Sequence, residues 1–114
     1  MYEESHGTIT IAQNVLNTIA RLTTLHVDGV ARMGNSGRLI RPNDGVNVEL
    51  VNGRVKADIY VQARPETNMF EVGQNIQHEV ARSFKEIVGL DVESVNVHIQ
   101  DVLYSPAPAN EKQS

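Results

Sequence analysis

The chain contains no cysteine and no tryptophan among its 114 residues, and aromatic residues make up only 4%. Missing thiols exclude disulfide frameworks, cysteine-based zinc sites, thiol nucleophiles and iron–sulfur clusters, so His and carboxylates are the only ordinary metal ligands left. Long apolar runs are missing too. Stretches such as Asp58-Ile59-Tyr60-Val61 are soon broken by polar residues, far short of the roughly 18 apolar residues that a membrane span requires. The first residues, Met1-Tyr2-Glu3-Glu4-Ser5-His6, lack the basic start and apolar core of a secretory signal, and the expectation is a cytoplasmic protein. Excess charge of either sign is small. Ten Lys and Arg against 14 Asp and Glu give a net charge of −4, which supplies no overall attraction to nucleic acid or anionic lipid, although a local basic patch can still bind either. What is present is an apolar content of 40% in a length that suits one domain, enough to bury roughly two-thirds of the unfolded surface without metal or disulfide.

The apolar spacing outlines the elements. Thr8-Ile9-Thr10-Ile11 alternates and predicts a short strand, after which Val15, Leu16, Ile19, Ala20 and Leu22 form one stripe of a helix running from Ala12 to about Leu25. Gly29 ends that helix, and Val30 is a candidate start for a short extended piece. Two turn-rich clusters, Gly34-Asn35-Ser36-Gly37 and Arg41-Pro42-Asn43-Asp44-Gly45, bound the longest loop. Val46–Leu50 and Val55–Val61 both alternate around Asn52-Gly53, the pair best suited to a tight hairpin turn. Val46, Val48, Leu50, Val55, Ala57, Ile59 and Val61 are expected to face inward, with Lys56, Asp58, Tyr60, Gln62 and Arg64 outward. Asn68, with Glu71 three residues on, predicts the start of a second helix whose buried stripe is Met69, Val72, Ile76, Val80, Phe84 and Ile87, closed by Gly89. A last strand spans 94–100. The expected fold is α+β: a two-layer sandwich with both helices on one face of a mostly antiparallel sheet, in a split β-α-β-like order, β-α-β-β-α-β. The expected organisation is an N-terminal extension over residues 1–6, a single domain over 7–104 and a flexible tail over 105–114.

Catalytic and metal-binding patterns are mostly wanting. His78-Glu79-Val80-Ala81-Arg82 begins like a zinc-protease helix, but Arg82 stands where the second His ligand belongs. There is no nucleophile elbow, and Gly34–Arg38 lacks the spacing and the Lys-Ser/Thr ending of a phosphate loop. No catalytic residue, cofactor or metal is therefore assigned. Two surfaces remain as candidates for binding. Arg32, Arg38 and Arg41 concentrate positive charge around the long loop, suited by their bidentate donors to a phosphate, an acidic protein surface or RNA. No aromatic residue is interleaved with them to add base stacking. The outward sheet face, with Tyr60, Gln62, Arg64, Asn96, His98 and Gln100, is the other, able to pair with a second copy or a partner if nothing covers it.

Gly7-Thr8-Ile9-Thr10-Ile11-Ala12, Val15-Leu16, Ile19-Ala20 and Val27-Asp28-Gly29-Val30-Ala31 together resemble the opening signature of the alkaline shock protein family of envelope stress response proteins, found mainly in Gram-positive bacteria. Gly45-Val46-Asn47-Val48-Glu49, Asp58-Ile59-Tyr60-Val61, the helix from Val72 through Asn75-Ile76-Gln77 to Val80, and Gly89-Leu90 before Val95-Asn96-Val97-His98-Ile99 extend the resemblance over roughly residues 7 to 103. The resemblance implies a non-enzymatic, partner-binding or scaffolding protein without cofactor, capable of homo-oligomer formation, cytoplasmic and associated with the membrane through a membrane-anchored partner. Two other expectations stand beside it: an RNA or phosphate-ligand binder acting through Arg32, Arg38 and Arg41, and an accessory subunit of a fatty-acid kinase system.

Overall fold

The computed structural model describes residues 6–35 and 45–102. Helix α1 (Gln13–Leu25) leads into a short strand β1 (Val30–Met33), followed by β2 (Val46–Val51), β3 (Arg54–Ala63), helix α2 (Met69–Ser83) with a π-helical last turn at Phe84–Val88, and β4 (Val92–Val102). Both helices pack on one face of the four-stranded sheet, giving the expected two-layer α+β arrangement.

β3 is the central strand. β2 pairs antiparallel with its first half, from Val51↔Arg54 to Val46↔Ile59, and β1 pairs antiparallel with its last residues, from Met33↔Val61 to Val30↔Ala63. β1 and β2 thus run in line along the same edge of β3. Their junction is at Tyr60, whose carbonyl accepts from Gly34 N–H at 2.6 Å and whose N–H donates to the Gly45 carbonyl at 2.7 Å. β4 lies along the other edge of β3, parallel to it, as the α2 crossover requires.

Strand alternation sorts the two faces. Val55, Ala57, Ile59, Val61 and Ala63 of β3 are buried under the helices with Val46 and Val48 of β2 and Val95 of β4. From above they meet Leu16, Ile19 and Ala20 of α1 and Val72, Ile76 and Val80 of α2, with Phe84. Burying each of the larger side chains contributes about 1.5–3 kcal/mol. Thr24, the one buried polar residue among those described, is satisfied by donating to the Ala20 carbonyl at 2.7 Å, and Thr23 Oγ1 donates to Ser83 Oγ at 3.0 Å, joining the helices. The Asn52-Gly53 turn has positive φ at both residues, and Asn68 Oδ1 caps α2 by accepting from Glu71 N–H at 3.0 Å.

Four local expectations require correction. Thr8–Ile11 forms no strand, and the first strand is β1, after α1; the Gln13 side chain at the start of α1 already donates to the Val48 carbonyl on the outer edge of β2, at 2.5 Å. Val15 and Leu22 are exposed because α1 turns Leu16, Ile19, Ala20 and Thr24 to the core instead. Leu50 is half exposed because it lies on the outer strand β2, whereas its register partner Val55 on the central strand is fully buried. Met69 and Ile87, at the two ends of the second stripe, are exposed as well. The expected tail at 105–114 and most of the 1–6 extension lie outside the described residues.

The outer edges of the sheet are handled alike. Gln77 Nε2 of α2 donates to the Val95 carbonyl of β4 at 3.1 Å, as Gln13 does to Val48 on β2. Val48 and Val95 both pair with Ala57, so the two glutamines occupy opposite edges at one level of the sheet.

Candidate functional site

The face of the sheet away from the helices carries the residues singled out on alternation. Tyr60 of β3 is the register partner of His98 of β4, and their rings stack with centroids 4.5 Å apart and planes 12° from parallel. Asp58, one outward position earlier on β3, fixes the arrangement. Its Oδ1 accepts from Asn96 Nδ2 at 3.3 Å and lies 3.3 Å from His98 Nε2, a contact that requires the proton on Nε2. The imidazole is thereby held edge-on by a carboxylate and face-on by a phenol ring. Both Asp58 and His98 stay substantially open to solvent, with side chains 38% and 45% exposed.

Basic residues gather at the C-terminal end of β3. Arg32 of β1 pairs with Gln62 and so projects from the same outward face, and Arg64 follows β3 by the same alternation, its N–H donating to the Gly29 carbonyl at 2.8 Å. Both are exposed, and neither has an ion-pair partner among the described residues. Arg38 and Arg41 lie outside the described residues, but the chain that carries them is rooted here. It leaves at Gly34 and returns at Gly45, both bonded to the Tyr60 backbone. Gln100 adds a clamp. Its side chain accepts from Asn35 N–H at 2.8 Å and donates to the Asn35 carbonyl at 2.7 Å, made possible by a shift of register that leaves Gln100 between the pairs Val61↔Ile99 and Gln62↔Asp101. Of the three arginines read as one cluster, Arg32 therefore shares the outward face with Tyr60 and His98.

Asp58 and Gln100 are what sequence reasoning undervalued. Both lie on the outward alternation, but their roles depend on partners across strands, and the pairing of β3 with β4 leaves no local mark in the sequence.

The helix layer holds a different cleft, of about 560 Å³, between the end of α1 and the middle of α2. Several of its polar groups are engaged: Thr23 and Ser83 bond to each other across it. His26 Nδ1 is 2.8 Å from the Leu22 carbonyl, and Glu79 forms an ion pair with Arg82 that raises the guanidinium pKa above its ordinary value through hydrogen bonding and charge attraction. The resemblance of 78–82 to a zinc helix thus resolves into a surface ion pair. Among the described residues, no three His, Asp or Glu come together in a way that could hold a metal ion, and no helix is long and apolar enough to cross a membrane.

Together these features define a two-layer α+β domain with a polar, aromatic-centred sheet face left uncovered by its own helices. Several solved structures share the fold: a doubly substituted MamM CTD matches with a TM-score of 0.60 at 14% identity, covering 82% of this chain and 86% of that one. The copper form of the MamM CTD matches with a TM-score of 0.58, also at 14% identity, over 89% and 92% of the two chains. At such identity the likeness concerns the fold alone. The chain belongs to the alkaline shock protein family, described as having a cell envelope-related function, whose pattern matches residues 1–104. Its relatives include the uncharacterized protein Spy1535 of Streptococcus pyogenes serotype M6, 28% identical over all of this chain and 93% of the relative. The uncharacterized protein YqhY of Bacillus subtilis is 25% identical over 90% of this chain and 83% of its own length.

Proposed function

We propose that the protein is a non-enzymatic module that binds a protein partner through its outward sheet face and works at the cytoplasmic side of the cell envelope. The observation that carries this reading is the Asp58–His98–Tyr60 constellation on an open sheet face, with arginines gathered at one end. Buried polar networks stabilise folds, whereas an ordered aromatic and polar cluster left in solvent supplies the rigid anchors on which interfaces are built. Membership of a family with a cell envelope-related function supports the place of action.

Affinity capture from the native source under envelope stress tests the proposal. The wild-type chain is expected to retain a specific partner that the Tyr60→Ala and His98→Ala variants hold weakly or lose, while both variants keep the wild-type circular dichroism spectrum. Retention of the same proteins in equal amount by wild type and both variants would sink it.

A second reading, binding of RNA or a phosphate ligand, gains one specific support. Arg32 projects from the same outward face as the stacked Tyr60 and His98, so an aromatic element adjoins that arginine. A salt-sensitive affinity for single-stranded RNA, abolished by changing Arg32, Arg38 and Arg41 to Ala, is its expected signature. No binding at low salt would remove it.

A further inference from the structure

The segment before α1 has the pattern of a strand, Thr8-Ile9-Thr10-Ile11, yet pairs with nothing among the described residues. Ile9 is 92% exposed and Ile11 40%. Alternating β-branched residues suit a half-buried extended conformation, with both isoleucines on one face. In the single chain that face meets water.

A matching acceptor lies across the molecule. Tyr60 directs its N–H and C=O toward β1 and β2, so Ala57, Ile59 and Val61 bond toward β4. Their register partners Val95, Val97 and Ile99 accordingly turn their own backbone groups to the open edge. Gln77 occupies the Val95 carbonyl. Val97 and Ile99 are left without a backbone partner on that side among the described residues. Beside them, α2 and β4 leave a groove of about 400 Å³, lined by Met69, Phe70, Gly73, Gln77, Val97 and Ile99, with no charged residue and with Phe70 75% exposed.

We propose that Thr8–Ile11 of one copy adds as a strand to the β4 edge of a second copy, placing Ile9 and Ile11 in the groove beside Val97, Ile99 and Phe70. Two isoleucines one strand period apart meet two apolar residues at the same spacing, while the main chain completes hydrogen bonds that the edge leaves open. The donor comes from another copy because α1 begins at the β2 edge, where Gln13 reaches Val48, with the helix layer between it and β4. Neither surface is charged, so the association rests on apolar burial and backbone hydrogen bonds. Each copy offers one arm and one edge, on opposite sides of the sheet.

Sedimentation of the full chain over a range of concentrations tests this. Wild type is expected to self-associate, and no less so at high salt. Covering an isoleucine is worth about tenfold or more in affinity, so Ile9→Asp with Ile11→Asp is expected to leave a monomer, as is Phe70→Asp. All three positions are exposed, so the fold is expected to persist, checked by circular dichroism. Mixing the arm variant with the groove variant is expected to restore a complex that stops at one copy of each, because one supplies an intact groove and the other an intact arm. A monomeric wild type, association untouched by the arm substitutions, or a mixture that fails to associate would each overturn the proposal.

Discussion

Gly45 and Gly53 form a matched pair, since both hold φ at +80°. Alanine at either position carries the cost of a left-handed backbone, about 1–2 kcal/mol. The surroundings separate them. At Gly53 an added Cβ meets nothing within 4 Å, whereas at Gly45 it would come within 2.8 Å of the Tyr60 carbonyl oxygen and 3.0 Å of the Gly34 carbonyl oxygen. Those obstacles are backbone atoms held in the sheet, so relief requires the β1–β2 junction to part from β3. That movement loosens the bonds from Gly34 N–H to Tyr60 and from Tyr60 N–H to Gly45, each worth about 0.5–1.5 kcal/mol. Gly45→Ala is therefore expected to lose about 2–5 kcal/mol. For Gly53→Ala the expected loss is about 1–2 kcal/mol. In urea, with a slope of roughly 1–2 kcal/mol per molar, the midpoint of Gly45→Ala should fall about 0.5–3 M below that of Gly53→Ala. Far-ultraviolet circular dichroism follows both transitions. Equal losses would refute the reasoning, because the two sites share φ and differ in what lies around them.

Ile76, fully buried at the centre of α2, is expected to cost about 2–5 kcal/mol when changed to Ala; a loss below about 1 kcal/mol in chemical denaturation would mean that the helix and sheet are not closely packed there. Asn68→Ala is expected to cost about 1 kcal/mol through loss of the cap on Glu71 N–H, while Asn68→Ser, which keeps an acceptor, should remain near wild type in the same assay. The Lys85 ammonium, 3.0 Å from Asp91, holds that carboxyl below its ordinary value of 3.8 by hydrogen bonding first and charge attraction second. A carboxyl lowered in the folded state stabilises above its unfolded pKa, and that contribution is lost as pH falls through the folded value. The small advantage in melting temperature of wild type over Asp91→Asn is thus expected near neutrality and should vanish on acidification, whereas an advantage that grew in acid would contradict the assignment.

Local pattern carried much of the fold. Alternation in 46–50 and 55–61, the Asn52-Gly53 turn, the Asn68 cap and the spacing from Val72 to Phe84 each reflect forces that act within a few residues, and each holds in the structure. Alternation also placed Tyr60, Arg64 and His98 on the outward face. It could not reveal that β4 lies beside β3, because parallel neighbours 38 and 40 residues apart, such as Asp58 with Asn96 and His98, share no local signal. Thr8–Ile11 misled for a related reason: a strand pattern records a preference, but a strand needs an edge to pair with, and the nearest one is engaged by Gln13. Leu50 alternates correctly and is exposed because it stands on the edge strand, one strand out from the buried Val55.

The in-line arrangement of β1 and β2 has a bearing on how this domain can vary. Since the chain leaves the sheet at Gly34 and re-enters at Gly45 against the same residue, the two ends of the excursion form a closed gate whose posts are set by β3. Closing a longer excursion across such a gate is inexpensive, with each doubling of length adding only about 0.6 kcal/mol. Insertions or a transplanted sequence can therefore be accommodated there while the core beneath stays unaware of the change. Length can change at this edge of β3 without touching the residues that the strand packs under the helices.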